Sequence, residues 1–252
     1  MSFLGIIARK LTGMYVLYAS TIFLSAFLLF VVQPIAGKHL LPYFGGSSSV
    51  WAASMLFFTA VLFLGYLYVY FLTSFDKRRQ GVIHLCVVVL VALATMIILY
   101  VYHSLYFSSG WIVASAQSPS FKVLIMLALA IGAPYFLLST TGPLLQYWWG
   151  ITTRAESYKF YALSNTGSLL ALFCYPFVIE PNVSLMLGEW VWALSFLVFT
   201  ILTSVVCMKY VRQVSRLEYS NVSVGNDMQS DLPYLTRIYW IVLAALPSYM
   251  LV

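Results

Sequence analysis

The chain has 252 residues, 62% of them hydrophobic and 8% charged, and a mean hydropathy of +0.93. That composition excludes a water-soluble globular domain and points to an all-α, polytopic membrane helix bundle whose main partner is the lipid bilayer. The net charge of +6 is read as lysine and arginine in loops between spans, so no nucleic-acid partner is implied.

Arg9 and Lys10 precede a charge-free run from about Tyr15 to Ile35. The run is too long for the apolar region of a signal peptide and lacks a small-residue cleavage pattern, so it reads as a retained first span. The stretch Gln33 to Trp51, QPIAGKHLLPYFGGSSSVW, is expected to form the corner between spans one and two. Gly45 and Gly46 permit backbone angles closed to other residues, and Ser47 to Ser49 stand where they can cap the first turn of span two. Together with Lys38 and His39, that helix start would make an anion or carboxylate site. The alternative is a tight capped turn that only sets the angle between two helices.

Span two is expected over about Val50 to Phe75 and span three over about Val82 to Tyr102. The charged turn Asp76-Lys77-Arg78-Arg79-Gln80 separates them and is of cytoplasmic type. An uncharged loop with Trp111, His103 to Ser120, leads into span four, about Phe121 to Trp149. Gly132, Pro134, Gly142 and Pro143 predict kinks or breaks near its middle and end. Ser139, Thr140, Thr141 and Gln146 lie beside those breaks. Such a pattern either exposes backbone carbonyls to a substrate or ion, or supplies a packing hinge.

Arg154, Glu156 and Lys159 mark the next turn, and span five runs from about Tyr158 to Ile179, ending at Glu180-Pro181-Asn182. On it, Asn165 joins Ser164, Thr166 and Ser168 in a small polar face suited to close helix contact, with a ligand or gating role as the other reading. Span six covers about Leu185 to Met208. Glu180 and Glu189 flank its outer end and either take a cation or amine or are simply solvated. Residues 209–233 are the most polar stretch and read as a cytoplasmic loop, and a seventh span begins near Tyr234.

Alternating seven spans from a cytoplasmic N-terminus gathers the basic residues. Arg9, Lys10, Lys77, Arg78, Arg79, Arg154, Lys159, Lys209, Arg212, Arg216 and Arg237 share one side, leaving Lys38 and Lys122 on the other. The expected topology is therefore N-terminus inside and C-terminus outside. An odd span count, with one domain over residues 1–252 still apolar at Val252, predicts a truncated or split half of a larger membrane region. A faint internal repeat, Gly132 to Leu138 laid over Ala245 to Leu251, points the same way. A partner membrane chain, or a missing C-terminal half, is expected.

Three stretches carry a resemblance: Gln33-Pro34 followed by GKHLLPYFGGSSSVW; Ala133 to Gln146, APYFLLSTTGPLLQ; and Tyr161 to Pro181, YALSNTGSLLALFCYPFVIEP. In order and spacing they resemble the membrane region of the fused major-facilitator-like/spermidine synthase proteins. The resemblance implies a transporter-like helix bundle, a bacterial inner (plasma) membrane location and a link to polyamines. Members of that family continue into further spans and a soluble aminopropyltransferase-like domain. The glycine-rich strand-to-helix turn such a domain uses is missing from this sequence, so no catalytic residues are assigned and enzymatic activity is not expected.

No cofactor is expected. His84 and His103 fall at opposite ends of span three and cannot share a ligand, while His39 and His103 could meet but lack companion ligands at metal spacing. Interfacial histidine is the simpler reading, and Tyr147, Trp148, Trp149, Trp190, Trp192 and Trp240 are expected in aromatic belts at the membrane surfaces. Cys86, Cys174 and Cys207 read as small core residues. Two functions follow: a non-enzymatic, transporter-like module for a small charged or amine-bearing solute, or a structural or anchoring subunit of a larger membrane complex.

Overall fold

The computed structural model describes residues 3–105, 118–153 and 157–221, with side chains from 12 to 216 within those ranges. The described residues are helical apart from short turns, with no strand among them. The helices are α1 (Phe3–Phe44), α2 (Ser48–Thr73), α3 (Lys77–Tyr102), α4 (Pro119–Leu127), α5 (Ala133–Thr153), α6 (Tyr158–Cys174), α7 (Glu180–Asn182) and α8 (Leu185–Asn221). Wider π-helical turns, Ala128–Gly132 and Tyr175–Ile179, join α4 to α5 and α6 to α7.

Six stretches among the described residues are long and apolar enough to cross a membrane: Thr12–Phe44, Ser48–Thr73, Lys77–Tyr102, Pro119–Thr153, Tyr158–Asn182 and Leu185–Arg216. Even the shortest of them, 25 residues, reaches about 38 Å at a 1.5 Å rise, more than the ~30 Å hydrocarbon layer. The expected seventh span, the repeat at Ala245 to Leu251, Trp111, Arg154, Glu156 and Trp240 lie outside the described residues. The chain divides into two units, Met1–Ser215 and Arg216–Val252. The first holds the bundle described below; of the second, the described part, Arg216–Asn221, is helical.

Lipid offers no partner for a backbone N–H or C=O, so each apolar run closes its own hydrogen bonds as helix, and packing then decides the arrangement. α1 packs along α6 and α5, α2 along α5 and α4, and α3 against α5. Small residues permit the closest approaches. Gly65 faces Ser139, Gly81 faces Val211, and Gly167 lies on the α1 backbone, where an added Cβ would stand 2.8 Å from the Phe23 carbonyl oxygen. α8 joins the bundle through large side chains, and the Trp192 indole N–H donates to the Leu28 carbonyl at 3.0 Å.

Several expectations are corrected. α1 continues unbroken through Pro34 and Pro42 to Phe44, so Gln33 to Phe44 is helix and the corner is only Gly45 to Ser47. A proline forfeits one intrahelical hydrogen bond, which a long, well-packed helix tolerates. Of the two corner glycines only Gly45 needs its freedom: its φ is +68° and its N–H closes the helix on the Leu41 carbonyl at 2.9 Å. Span four is not broken, but a π-helical turn interrupts its α-helix near the middle, where an irregularity is expected. The π-helical turn before Ala133 absorbs Pro134 by widening the helix, and α5 passes through Pro143.

Residues Lys209 to Asn221, read as loop, are the end of α8. Their polar composition hides Tyr210 and Val214, which continue the face of Val206 at four-residue spacing and are buried with Trp148 and Phe160. Trp148, Trp149 and Trp192 sit inside the bundle rather than in a belt. Trp148 donates its indole N–H to Gln80 Oε1 at 3.1 Å and stacks on Tyr210 with ring centroids 4.2 Å apart. A buried indole needs such a partner, and here the bundle supplies it. His84 is fully buried, bonded at Nδ1 to the Tyr68 hydroxyl at 3.2 Å, and so is not interfacial. Of the cysteines only Cys207 is a buried core residue; Cys86 is exposed.

Candidate functional site

Residues four apart on a helix share a face, and three such faces meet around one cavity. On α1 they are Ser25, Leu29 and Gln33; on α5, Tyr135, Ser139 and Pro143, continued by Gln146; on α6, Tyr161, Asn165 and Leu169. α2 closes the fourth side with Met55, Thr59 and Leu62. The cavity has a volume of about 800 Å³. α1 and α5 pack against each other and form its floor, while α2 and α6 stand at its sides. Gln33, Ser139, Gln146 and Asn165, drawn from three different spans, are thereby brought together.

Hydrogen-bond accounting defines the chemistry of this space. Gln33 donates from Nε2 to the Tyr135 hydroxyl at 3.2 Å and so bridges α1 to α5. The hydroxyls of Ser25, Thr59, Ser139 and Ser168 all donate to carbonyls of their own helices, at 2.7 to 3.1 Å. With their protons so engaged, these oxygens present lone pairs. Pro34 and Pro143 have no N–H to offer the carbonyls of Phe30 and Ser139, two residues that line the cavity. Among the described residues the lining holds no Asp, Glu, Lys, Arg or His. It is uncharged, rich in acceptors, and flanked by the rings of Phe30, Phe58 and Tyr66.

A second cavity of about 430 Å³ lies at the Lys38 end of the bundle and shares Gln33, Met55 and Phe58 with the first. Lys38 and Glu180 both line it and form an ion pair, Nζ to Oε1 2.8 Å, with side chains 36% and 42% exposed. The Lys38 ammonium also lies 5.9 Å from the centroid of the Tyr175 ring. The next residue, His39, turns to the other flank and pairs with Glu189 on α8. Glu189 is only 2% exposed and also accepts from Ser104 Oγ at 2.7 Å and the Leu105 N–H at 3.0 Å. Consecutive residues of α1 thus tie it to α7 and to α8.

Of the two readings of Glu189, a cation or amine site or a solvated carboxylate, its burial rules out the solvated one. The signal was present in the sequence: a charge four residues into an apolar run costs about 2.5–3.5 kcal/mol if left in lipid, so it needs a partner inside. Thr140 and Thr141 do not reach the cavity. Both are fully buried and donate to the Leu137 carbonyl at 2.7 and 3.1 Å, because each step along a helix turns about 100° away from the Ser139 face. Gly45, Gly46 and Ser47 are exposed at the corner and line neither cavity. Ser47 is the N-cap of α2 but makes no side-chain cap bond; its hydroxyl meets that of Ser49 at 3.0 Å. Lys38 points to Glu180 instead, so the corner and the cation do not converge on an anion.

No family model, curated protein or solved structure matches the chain. The likeness to the fused major-facilitator-like/spermidine synthase proteins therefore rests on the three sequence stretches alone.

Proposed function

We propose that this chain is a non-enzymatic integral membrane module that handles a small amine-bearing solute, in the manner of a transporter half. The observation that carries the reading is the convergence of Gln33, Ser139, Gln146 and Asn165 on one uncharged cavity at membrane depth. An ammonium group brings several donors and no acceptor, and this lining offers acceptors and aromatic faces in return. Glu180 at the neighbouring mouth gives such a cation its first counter-charge, in competition with Lys38. The serine hydroxyls are bonded to their own helices and not to a base, which supports binding over nucleophilic chemistry. In the orientation we propose, with the N-terminus inside a bacterial inner membrane, the Lys38 end faces outward. Uptake of radiolabelled spermidine and putrescine into proteoliposomes tests the reading. Transport or saturable binding that falls on replacing Gln33 and Gln146 with Leu is expected, and neither uptake nor binding in the unaltered protein would overturn it.

One observation favours the second reading, a subunit that needs a partner membrane chain. The span Tyr158–Asn182 is the least apolar of the six yet the least covered, with 17% of its most apolar window buried against 50% for the first and fourth spans. Polar residues inside a bilayer are expected to face protein or water. Purification from native membranes at a fixed stoichiometry with another membrane chain supports this reading, and a stable monomer in lipid nanodiscs opposes it.

A further inference from the structure

The central cavity opens along its side as well as toward the Lys38 end. α2 packs on α5, and α6 packs on α1, but α2 and α6 make no extended contact with each other. Met55 on α2 and Tyr161, Leu169 and Leu172 on α6 line the cavity and are themselves exposed, Met55 by 63% and Leu169 by 57%. All four lie within membrane-length spans, so the gap they frame, as the described residues leave it, opens at the level of the hydrocarbon. A ligand can therefore reach the polar floor from the bilayer without passing the Lys38–Glu180 pair.

The floor is uncharged. The hydroxyls of Ser25, Ser139 and Ser168 have given their protons to their own helices, and two prolines withhold an N–H from neighbouring carbonyls, so these groups accept, while the amides of Gln146 and Asn165 can donate or accept. A donating headgroup finds partners there. An accepting one, such as a carboxylate or phosphate, meets no cation, since Lys38 is held by Glu180 in the adjoining cavity. A free polyamine would have to strip water from several cations into a space without a carboxylate. A single amine on an alkyl chain brings one charge and keeps its methylenes in lipid throughout. The volume, about 800 Å³, lies in the range of sites that enclose one drug-sized ligand.

We infer that this cavity takes a single-chain amphiphile with a donor headgroup, a long-chain amine or amino alcohol, through the gap between α2 and α6. The inference rests on the solute-handling reading above and narrows it from soluble amines to chain-bearing ones. The test uses the whole chain in phosphatidylcholine vesicles with a diazirine-bearing octadecylamine, photolysed and mapped by mass spectrometry. Saturable labelling is expected around Met55 and between Asn165 and Leu172, displaced by unlabelled octadecylamine, left in place by equal stearate, and displaced by spermidine only at much higher concentration. Gln146→Leu and Asn165→Leu each weaken binding by about tenfold or more, the loss of one hydrogen bond to a charged group, with an unchanged melting temperature showing the fold intact. Labelling spread equally over the exposed face of α3, at Leu90, Leu93 and Ile97, would overturn the inference, as would equal displacement by stearate. Displacement by spermidine as effective as by octadecylamine overturns the amphiphile but leaves the soluble-amine reading standing. No site labelling together with no spermidine binding removes both.

Discussion

Replacing Glu189 separates structural charge from exposed charge. Its carboxylate is 2% exposed, pairs with His39, and accepts from the Ser104 hydroxyl and the Leu105 N–H. Glu189→Ala removes all three interactions at once and leaves an imidazole, a hydroxyl and an amide without that acceptor where water is scarce. Breaking a buried pair of this kind costs about 3–5 kcal/mol. At roughly 2–4 °C per kcal/mol for a protein of this size, the unfolding midpoint should fall by about 6–20 °C. Glu189→Gln keeps an oxygen for Ser104 and Leu105 but gives up the charge, so its loss should be smaller. Glu180 is the internal control, because its pair with Lys38 is more than a third exposed on both sides. Glu180→Gln should cost only about 0.2–1 kcal/mol. Thermal unfolding of the three variants in lipid nanodiscs, followed by far-ultraviolet circular dichroism and tryptophan fluorescence, gives the comparison. If Glu189→Ala melts within 2 °C of the parent, or Glu180→Gln costs as much, the buried node is not what joins α1 to α8 and the reasoning fails.

Gly167→Val drives a side chain into the Phe23 carbonyl, which lies 2.8 Å from the position of a Cβ, and should destabilise by about 1–3 kcal/mol. Gly142→Ala is its control: nothing lies within 4 Å of that Cβ and alanine is the better helix former, so the same melting assay should show no loss, and a loss equal to that of Gly167→Val would deny that the Phe23 contact is the cause. Gln80→Leu removes the acceptor of the Trp148 indole N–H and the donor to the Thr73 and Phe75 carbonyls. Unpaired buried groups cost about 1–3 kcal/mol each, so urea unfolding of the reconstituted protein should show one of the larger single-residue losses; an unchanged midpoint would deny that Gln80 locks the α2–α3 turn.

The polar residues inside the apolar runs mark possible site positions in the sequence, and the structure sorts them. Gln33, Ser139, Gln146 and Asn165 share a cavity; Thr140 and Thr141, one and two steps from Ser139, do not. Sequence order could not make that distinction, because a membrane helix is apolar on every side. Lipid is as apolar as a bundle interior, so the hydrophobic pattern does not say which face turns inward. In α8 the reverse failure occurred: a polar composition masked Tyr210 and Val214, which continue the face of Val206, because composition discards spacing.

Composition pointed to a membrane protein, and the order of apolar runs placed its described spans to within a few residues at most boundaries, since water tolerates neither so little charge nor such long apolar runs. Only the tertiary structure decided that α1 continues as helix through two prolines, that Glu189 is buried on His39, and that four amides and hydroxyls from three spans face one space. Each depends on what stands opposite a residue across the bundle. Steric fit at Gly65, Gly81 and Gly167, together with the need to pair every buried polar group, selects that opposite neighbour.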